Sequence, residues 1–193
     1  CLKKLVATVL AVISVCATTT PVAAEWYTME GKWYFLDNQH QNKKGWLHDG
    51  NKWYLLKDSD GSMRTGWVSF RHYPQDTWYY FNDGGAMVTG WRQVGSKYYY
   101  FDKESGKMQY GWFQDKDNGG KWYYLDKKDG HMIKGWLKIR GEWYYFSGSG
   151  AMATGTHKIG NKTYKFDQYG HMISNDPVIV NVDFIGSQCI YHQ

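Results

Sequence analysis

Residues 111–134 read GWFQDKDNGGKWYYLDKKDGHMIK, and the next two residues, Gly135 and Trp136, begin the same pattern again. The stretch opens with Gly-Trp, continues into the aromatic run Trp-Tyr-Tyr-Leu and ends on Gly-His-Met. A pattern that recurs after about twenty residues is typical of a repeat architecture, in which each repeat buries its apolar surface against its neighbours.

The same pattern continues in both directions along the chain. The repeats run 25–44, 45–65, 66–89, 90–110, 111–134, 135–154 and 155–174, and the first of them is the weakest match. The repeats 66–89 and 111–134 are longer, and their additional residues (SFRHYPQD and DKDNGG) lie between the first Trp and the aromatic run. Insertions confined to one place indicate a surface loop.

Each repeat predicts a β-hairpin. The first strand starts at Gly-Trp, a turn follows at pairs such as Asp49-Gly50 or Arg140-Gly141, and the second strand carries the aromatic run. No segment shows sustained helical periodicity. Because one isolated hairpin is marginally stable in water, the sequence predicts an all-β solenoid of stacked β-hairpins.

The composition fits a surface rich in half-exposed aromatic rings. Aromatic residues make up 19% of the chain, while all hydrophobic residues make up 42% and the mean hydropathy is −0.64. Trp and Tyr carry polar groups and suit surfaces that are partly wet. The net charge is +5, from 23 Lys and Arg against 18 Asp and Glu, and the charges are interspersed. We therefore expect no nucleic-acid partner.

The two ends of the chain differ from the repeats. Residues 1–24 have a short basic region, an apolar region and a small-residue cleavage site after Ala24, which predicts a signal peptide and a secreted protein. The apolar run is too short to span a membrane, so none is expected after cleavage. Residues 175–193 are predicted to be a C-terminal cap or tail. Cys189 is the only cysteine after the predicted cleavage, which excludes an intramolecular disulfide.

Strand alternation divides the aromatic residues between two faces. The second and fourth positions of the aromatic run stay bulky in every repeat, which predicts the core. They are Tyr34, Tyr54, Tyr79, Tyr99, Tyr123, Tyr144 and Tyr164, with Leu36, Leu56, Phe81, Phe101, Leu125, Phe146 and Phe166.

The first and third positions, together with the leading Trp, lose their aromatic rings in the last repeat. There they become Thr163, Lys165 and Thr156. A binding face can vary at the end of a repeat array, so these positions predict the ligand face, although packing alone is the alternative. Clustered Trp and Tyr rings suit a quaternary ammonium, held by cation–π attraction of about 0.5–2 kcal/mol, or a sugar ring stacked on an aromatic face.

The combination of Gly-Trp, the aromatic run and Gly-x-Met over residues 25–174 resembles the choline-binding (cell-wall-binding) repeats of Gram-positive bacterial surface proteins. The resemblance implies a β-hairpin solenoid at the bacterial surface, attached non-covalently to phosphocholine on teichoic or lipoteichoic acids. It also implies choline sites between neighbouring repeats. In such a site two aromatic residues come from one hairpin, a third comes from the next, and often a Met completes the wall.

Carried over to this sequence, the resemblance predicts four complete cages. They are Trp46, Trp53 and Tyr80; Trp67, Trp78 and Tyr100; Trp91, Tyr98 and Tyr124; and Trp112, Trp122 and Tyr145. Two further sets are expected to be defective, because Trp26 and Trp33 would meet Leu55, and Trp136 and Trp143 would meet the cationic Lys165. Met87, Met108 and Met132 are possible additional walls, with adaptable filler between hairpins as the alternative.

Two other binding functions remain open. Glucan-binding repeats and clostridial toxin repeats have a similar aromatic and glycine pattern, so a carbohydrate ligand is an alternative. An adhesin that uses some repeats for a host protein is another, with the insertion 70–77 as the candidate contact.

We expect no catalysis, because the segments outside the repeats are too short for a catalytic fold. Cys189 and His192 lack a third catalytic group. The histidines fall mostly in turns without metal-ligand spacing, so no metal and no cofactor are expected. A truncated wall hydrolase is a third possibility.

Overall fold

The computed structural model describes residues 24–72 and 75–174. The predicted signal peptide, apart from Ala24, and the predicted tail 175–193 lie outside these residues. Within them the chain forms short strands and one 3₁₀ helix, Lys116–Asn118. The strands are β1 Glu25–Met29, β2 Lys32–Leu36, β3 Gly45–Asp49, β4 Lys52–Leu56, β5 Gly66–Phe70, β6 Thr77–Phe81, β7 Gly90–Val94, β8 Lys97–Phe101, β9 Gly111–Asp115, β10 Lys121–Leu125, β11 Gly135–Ile139, β12 Glu142–Phe146, β13 Gly155–Ile159, β14 Lys162–Phe166 and β15 Met172–Ser174.

The strands pair consecutively into small antiparallel sheets. The two-stranded sheets are β1–β2, β3–β4, β5–β6, β7–β8, β9–β10 and β11–β12, and β13, β14 and β15 form a three-stranded sheet. The predicted all-β, hairpin-based fold is confirmed. No helix in the described ranges is both long and apolar enough to cross a membrane.

Tight turns explain why these hairpins form. The loop between β3 and β4 has two consecutive residues with positive φ, Gly50 at 54° and Asn51 at 61°, and Arg140 (51°) and Gly141 (95°) repeat this arrangement between β11 and β12. Two positive-φ residues match the right-handed twist of the flanking strands. In the longer repeats, β5 and β6 are joined through residues 71–76, and the 3₁₀ helix lies between β9 and β10.

The described residues divide into two compact units, one formed by residues within 24–94 together with 100–108, the other by 95–99 together with 109–174. Within each unit, one face of a hairpin packs on the opposite face of the next. In the first unit, Leu55 packs with Tyr79 and Phe81 of the following hairpin. In the second, Tyr124 packs with Tyr144 and Phe146.

This stacking confirms the predicted core positions and contradicts the expectation that the other face is free to bind ligand. The second and fourth positions are buried as expected in most repeats; Tyr54, for example, is 3% exposed and Phe81 is 0% exposed, while Leu36 and Tyr164, near the two ends, are partly buried. The third position was predicted to lie on the ligand face, but in four repeats it is buried, at Phe35, Leu55, Tyr100 and Tyr124. The prediction was wrong because a stacked hairpin has neighbours on both faces, so neither face is entirely free.

The Met after each Gly-x step joins successive hairpins. The backbone N–H of Met87 donates to the carbonyl oxygen of Trp53 in the preceding hairpin at 2.7 Å, and Met152 donates to Trp122 at 2.8 Å. The Met side chain then lies on a glycine of the following turn. A Cβ added at Gly106 would lie 2.4 Å from Sδ of Met87, and a Cβ at Gly170 would lie 2.5 Å from Sδ of Met152. These glycines therefore allow a close approach that no other residue permits.

Candidate ligand-binding clefts

Pairs of half-exposed Trp residues recur on one face of the hairpins. In the β3–β4 hairpin Trp46 and Trp53 are 36% and 43% exposed, with ring centroids 6.2 Å apart at 84°. In the β9–β10 hairpin Trp112 and Trp122 have the same separation and angle. The strand register explains both pairs. Trp46 lies opposite Leu55, and Trp53 is two residues before Leu55 on the same face, so the two rings are diagonal neighbours.

The first pair forms a cleft of about 400 Å³, here called the N-terminal cleft. Three successive hairpins contribute to it. The residues lining it are Trp46, Trp53, Tyr79, Met87, Glu104 and Ser105. Trp46 packs edge-on against Tyr79 at 5.1 Å, which places the Tyr ring as the third aromatic wall.

The second pair forms a cleft of about 440 Å³, here called the C-terminal cleft. It has the same frame of two Trp rings, a Tyr from the next hairpin and a Met. The residues lining it are Trp112, Trp122, Tyr144, Met152, Gln168, Tyr169 and His171. Trp112 lies 4.9 Å from Tyr144 between ring centroids.

The third aromatic residue of both clefts differs from the one that the sequence predicted. Tyr79 and Tyr144 stand in the clefts, where Tyr80 and Tyr145 were expected. Tyr80 instead packs on Trp67 of its own hairpin at 5.1 Å, and Tyr145 packs on Trp136 at 5.1 Å. The physical reason is the stacking of opposite faces, because a face that carries the Trp pair meets the second and fourth positions of the next hairpin.

The two Trp sets that were expected to lack a third aromatic wall also meet the second-position Tyr of the next hairpin. Trp136 and Trp143 lie 6.3 Å apart at 86°, and Trp136 meets Tyr164 at 4.7 Å, so a Tyr ring lies beside this Trp pair where Lys165 was expected. At the start of the chain, Trp26 meets Tyr54 at 4.8 Å. The indole N–H of Trp26 also donates to Oδ2 of Asp49 at 2.9 Å.

The other predicted cage residues keep part of the expected geometry. Trp67 and Trp78 form another near-perpendicular pair, with centroids 6.1 Å apart at 79°. Tyr100 and Tyr124, expected as third walls, pack within their own hairpins on Trp91 and Trp112, each at 5.2 Å. Tyr98 is exposed, and Nζ of Lys134 lies 5.3 Å from its ring centroid.

The predicted Met walls are distributed unevenly. Met87 lines the N-terminal cleft as expected. Met108 is buried and its N–H donates to the carbonyl of Trp78, while the N–H of Met132 donates to that of Tyr98. Met152, which was not proposed, lines the C-terminal cleft. Its place in the Gly-x-Met pattern is the signal that would have identified it.

The insertion 70–77, predicted as a partner contact, begins next to the N-terminal cleft. Phe70 is 41% exposed and stacks on Trp46, with centroids 6.0 Å apart at 24°. Residues 73 and 74 lie outside the described residues. Phe70 therefore extends the aromatic surface around Trp46.

The aromatic walls are uncharged. Burial raises the pKa of Tyr79, and burial followed by the charges of Glu142 and Asp167 raises the pKa of Tyr144. Both hydroxyl groups therefore stay protonated at neutral pH. Neutral rings present the electron-rich faces that attract a cation.

One group outside the clefts has the composition of a metal site. Ligand atoms of Asp126, Asp129 and His131 lie within 4.8 Å of one another. The structural roles of these side chains account for the arrangement. Asp126 Oδ1 accepts the N–H of Lys128 at 2.7 Å, and Asp129 accepts hydrogen bonds from Lys97 Nζ (2.8 Å) and from His131. This is a turn cap joined to a surface ion pair.

Comparison with known proteins identifies the repeats. The choline-binding repeat model matches residues 88–135 and 133–176, and the cell wall binding repeat model matches 44–63 and 65–87. The chain belongs to the choline-binding repeat family. Among curated protein sequences none matched.

Solved structures of choline-binding proteins have the same fold. Choline-binding protein F of Streptococcus pneumoniae, crystallised with a peptidoglycan analogue, is 35% identical with a TM-score of 0.68, over 76% of this chain and 51% of that one. CbpJ of S. pneumoniae TIGR4 is 39% identical with a TM-score of 0.66, over 77% of this chain and 47% of that one. CbpF in complex with ipratropium is 35% identical with a TM-score of 0.62, over 73% of this chain and 50% of that one. This choline-binding repeat chain thus spans about half the length of these relatives.

Proposed function

We propose that this chain binds choline groups of phosphocholine-bearing teichoic or lipoteichoic acid and so attaches to the bacterial cell wall. The observation that supports this most is the convergence of two perpendicular Trp rings, a Tyr and a Met in each of the two clefts. A quaternary ammonium carries its charge on methyl groups that contact ring faces on several sides. The clefts have the neutral aromatic lining that this ligand needs.

The expected affinity is weak at each cleft and stronger for the polymer. Three rings at about 0.5–1 kcal/mol each at a partly exposed site supply about 1.5–3 kcal/mol. Together with the burial of the methyl groups, this approaches the about −4 kcal/mol of a millimolar dissociation constant. Several clefts on one chain that bind successive groups of one polymer gain affinity through effective concentration. The proposed role is therefore retention on the wall, with binding and no catalysis by the repeats. Secretion remains the prediction made from residues 1–24.

The experiment that tests this compares ligands of equal shape. Intrinsic Trp fluorescence of the full chain is titrated with choline and with 3,3-dimethyl-1-butanol, in which an uncharged carbon replaces the ammonium nitrogen. We expect a saturable response to choline at millimolar concentration and a response at least about tenfold weaker to the alcohol, because only choline gains the cation–π attraction. Equal responses to choline and to the alcohol would show that the clefts bind the apolar groups of both ligands and that the positive charge contributes nothing to binding.

Variants connect the response to the clefts. Trp53→Leu and Trp122→Leu each remove one exposed ring and keep an apolar side chain, so folding is preserved while one cleft loses a wall. Each variant should elute from a tertiary-amine resin at a lower choline concentration than the unmodified chain. The alternative carbohydrate ligand is tested by eluting the bound protein with maltose and isomaltose oligomers in place of choline. Elution by the sugars and not by choline would overturn the proposal in favour of glucan binding.

A further inference from the structure

The two clefts share one frame and differ at one rim. Both have two Trp rings, a Tyr and a Met. The rim comes in each case from the turn before the Gly-x-Met step two repeats further on. In the N-terminal cleft this turn provides Glu104 and Ser105. Counted back from the turn glycine, the corresponding positions in the C-terminal cleft are Gln168 and Tyr169, in a turn that is one residue shorter after its Asp, and His171 lines this cleft in addition.

An Asp carboxylate holds the backbone of the turn in both rims, although it accepts from different positions. Asp102 Oδ1 accepts the backbone N–H groups of Glu104 at 3.3 Å and Ser105 at 2.8 Å. Asp167 Oδ1 accepts those of Tyr169 and His171, both at 2.8 Å. The Asp carboxylate is common to both turns, and a basic side chain follows the turn glycine in each, Lys107 in one and His171 in the other. The difference between the two rims on which the inference rests is therefore Glu104 against Gln168.

We propose that the two clefts select different forms of the ligand, the N-terminal cleft favouring a free quaternary ammonium and the C-terminal cleft favouring one that carries a phosphoryl group. This inference rests on the proposed function, since it assumes that both clefts hold the ammonium. With the ammonium among the Trp rings, a phosphoryl group attached through a short linker extends towards the rim. There the Glu104 carboxylate repels it, whereas Gln168 and Tyr169 offer neutral hydrogen-bond donors.

His171 lines the C-terminal cleft in addition to the two rim positions. Its Nδ1 lies 2.8 Å from Oδ2 of Asp167, and its ring is 5.3 Å from Tyr144 and 6.1 Å from Tyr169 between centroids. The Asp167 contact orients the imidazole at this rim. Lys107 follows the turn glycine in the N-terminal cleft as His171 does in the C-terminal cleft. After the hydrogen bonds from Ser105, the charge of Lys107 helps to lower the pKa of Asp102.

The selection has a consequence for wall attachment. Choline on a wall polymer is carried through phosphate, so the C-terminal cleft would provide more of the retention than the N-terminal cleft. The N-terminal cleft would respond more strongly to free choline. The two clefts would thus differ in how easily free choline displaces the polymer.

The test measures each cleft separately in the full chain. The protein is labelled with 5-fluorotryptophan, and the ¹⁹F resonances of Trp53 and Trp122 are assigned with Trp53→Phe and Trp122→Phe. Each resonance is followed during titration with choline and with phosphocholine. We expect the ratio of the phosphocholine to the choline dissociation constant to be about fivefold larger at Trp53 than at Trp122, from the repulsion of two like charges a few ångströms apart in water.

Reciprocal substitutions at the equivalent rim position serve as matched variants. Glu104→Gln should lower the ratio at Trp53 and leave Trp122 unchanged, while Gln168→Glu should raise the ratio at Trp122 and leave Trp53 unchanged. Both positions are exposed, so urea midpoints should match that of the unmodified chain. The inference would be overturned, with choline binding left intact, if the ratio of the two dissociation constants were equal at Trp53 and Trp122. It would also be overturned if Glu104→Gln and Gln168→Glu left these ratios unchanged. Absence of any shift with either ligand would instead overturn the proposed function.

Discussion

The close approach of Met to a turn glycine can be tested with three alanine substitutions in the second compact unit. Gly150 has φ +83°, and a Cβ there would lie 2.3, 2.7 and 2.9 Å from Sδ, Cε and Cγ of Met132. Gly155 has φ +76° and no atom within 4 Å of an added Cβ. Gly148 also has an open site and lies outside the positive-φ region. The set therefore separates the backbone cost from the packing cost.

The expected losses of unfolding free energy follow from these geometries. Gly148→Ala should change stability by less than about 0.5 kcal/mol, as an ordinary surface substitution does. Gly155→Ala should cost about 1 kcal/mol, because an L-residue is placed at left-handed φ. Gly150→Ala adds to that an overpacking cost of about 1–3 kcal/mol, since the clash includes Cγ and the Met side chain cannot escape by moving its end alone. Gly150→Ala should therefore lower the free energy of unfolding by about 2–4 kcal/mol in total.

The measurement is urea unfolding followed by circular dichroism, without choline, because a ligand that binds the folded state would raise apparent stability. Stacked hairpins can unfold in steps, so midpoints are compared together with slopes. A double-mutant cycle with Met132→Ala isolates the contact, since Gly150→Ala should then cost only about 1 kcal/mol, like Gly155→Ala. If Gly150→Ala were no worse than Gly155→Ala with Met132 intact, the Met packing would carry no stability and the reasoning would fail.

Three further outcomes are expected. Tyr79→Leu should weaken choline binding at the N-terminal cleft by about fivefold, from the loss of one cation–π partner, and Tyr80→Leu should leave that cleft nearly unchanged; the fluorinated Trp titration distinguishes them, and the opposite order would restore the sequence-based choice. Lys165→Gln should leave choline binding at the preceding Trp pair within about twofold, because a Tyr and not this Lys faces that pair; a gain of about fivefold, as removal of one nearby repelling charge gives, would contradict this. Burial alone would raise the pKa of Asp129, but the Lys97 ammonium and the His131 hydrogen bonds hold it well below its usual value, so this group stabilises the fold above about pH 4 and loses that contribution as pH falls. Lys97→Gln should bring the pKa of Asp129 back towards about 4 in an NMR titration and cost less than about 1 kcal/mol at pH 7, since the pair is partly exposed; an unchanged pKa would refute the assigned cause.

The local pattern of the sequence was sufficient to predict the hairpins. Gly-Trp starts, two-residue turns and alternating aromatic runs are properties of a few neighbouring residues, and strand geometry converts them directly into paired strands. The perpendicular pairing of Trp46 with Trp53 follows from the same rule, because the register of a single hairpin places them diagonally. Residues within one hairpin were therefore assigned to the correct side-chain face.

The errors all concern residues from different hairpins. Tyr80 was expected as the third wall because the third position of the aromatic run shares a face with the Trp of its own hairpin. The alternation within one strand does not say which face of the next hairpin meets the Trp pair. Met152 and the rim residues Gln168 and His171 come from repeats further along the chain. Their arrival at one cleft depends on how each hairpin is placed on the one before it.

The sequence by itself thus determined the repeat, the hairpins, the family and the Trp pairs, because these depend on short-range alternation and turn chemistry. The tertiary structure alone decided that opposite faces stack. It therefore also decided that Tyr79 and Tyr144 complete the clefts and that a third hairpin closes each rim. The physical reason is that a one-residue step along a strand reverses the direction of its side chain, so the third wall is fixed only when the relation between successive hairpins is known.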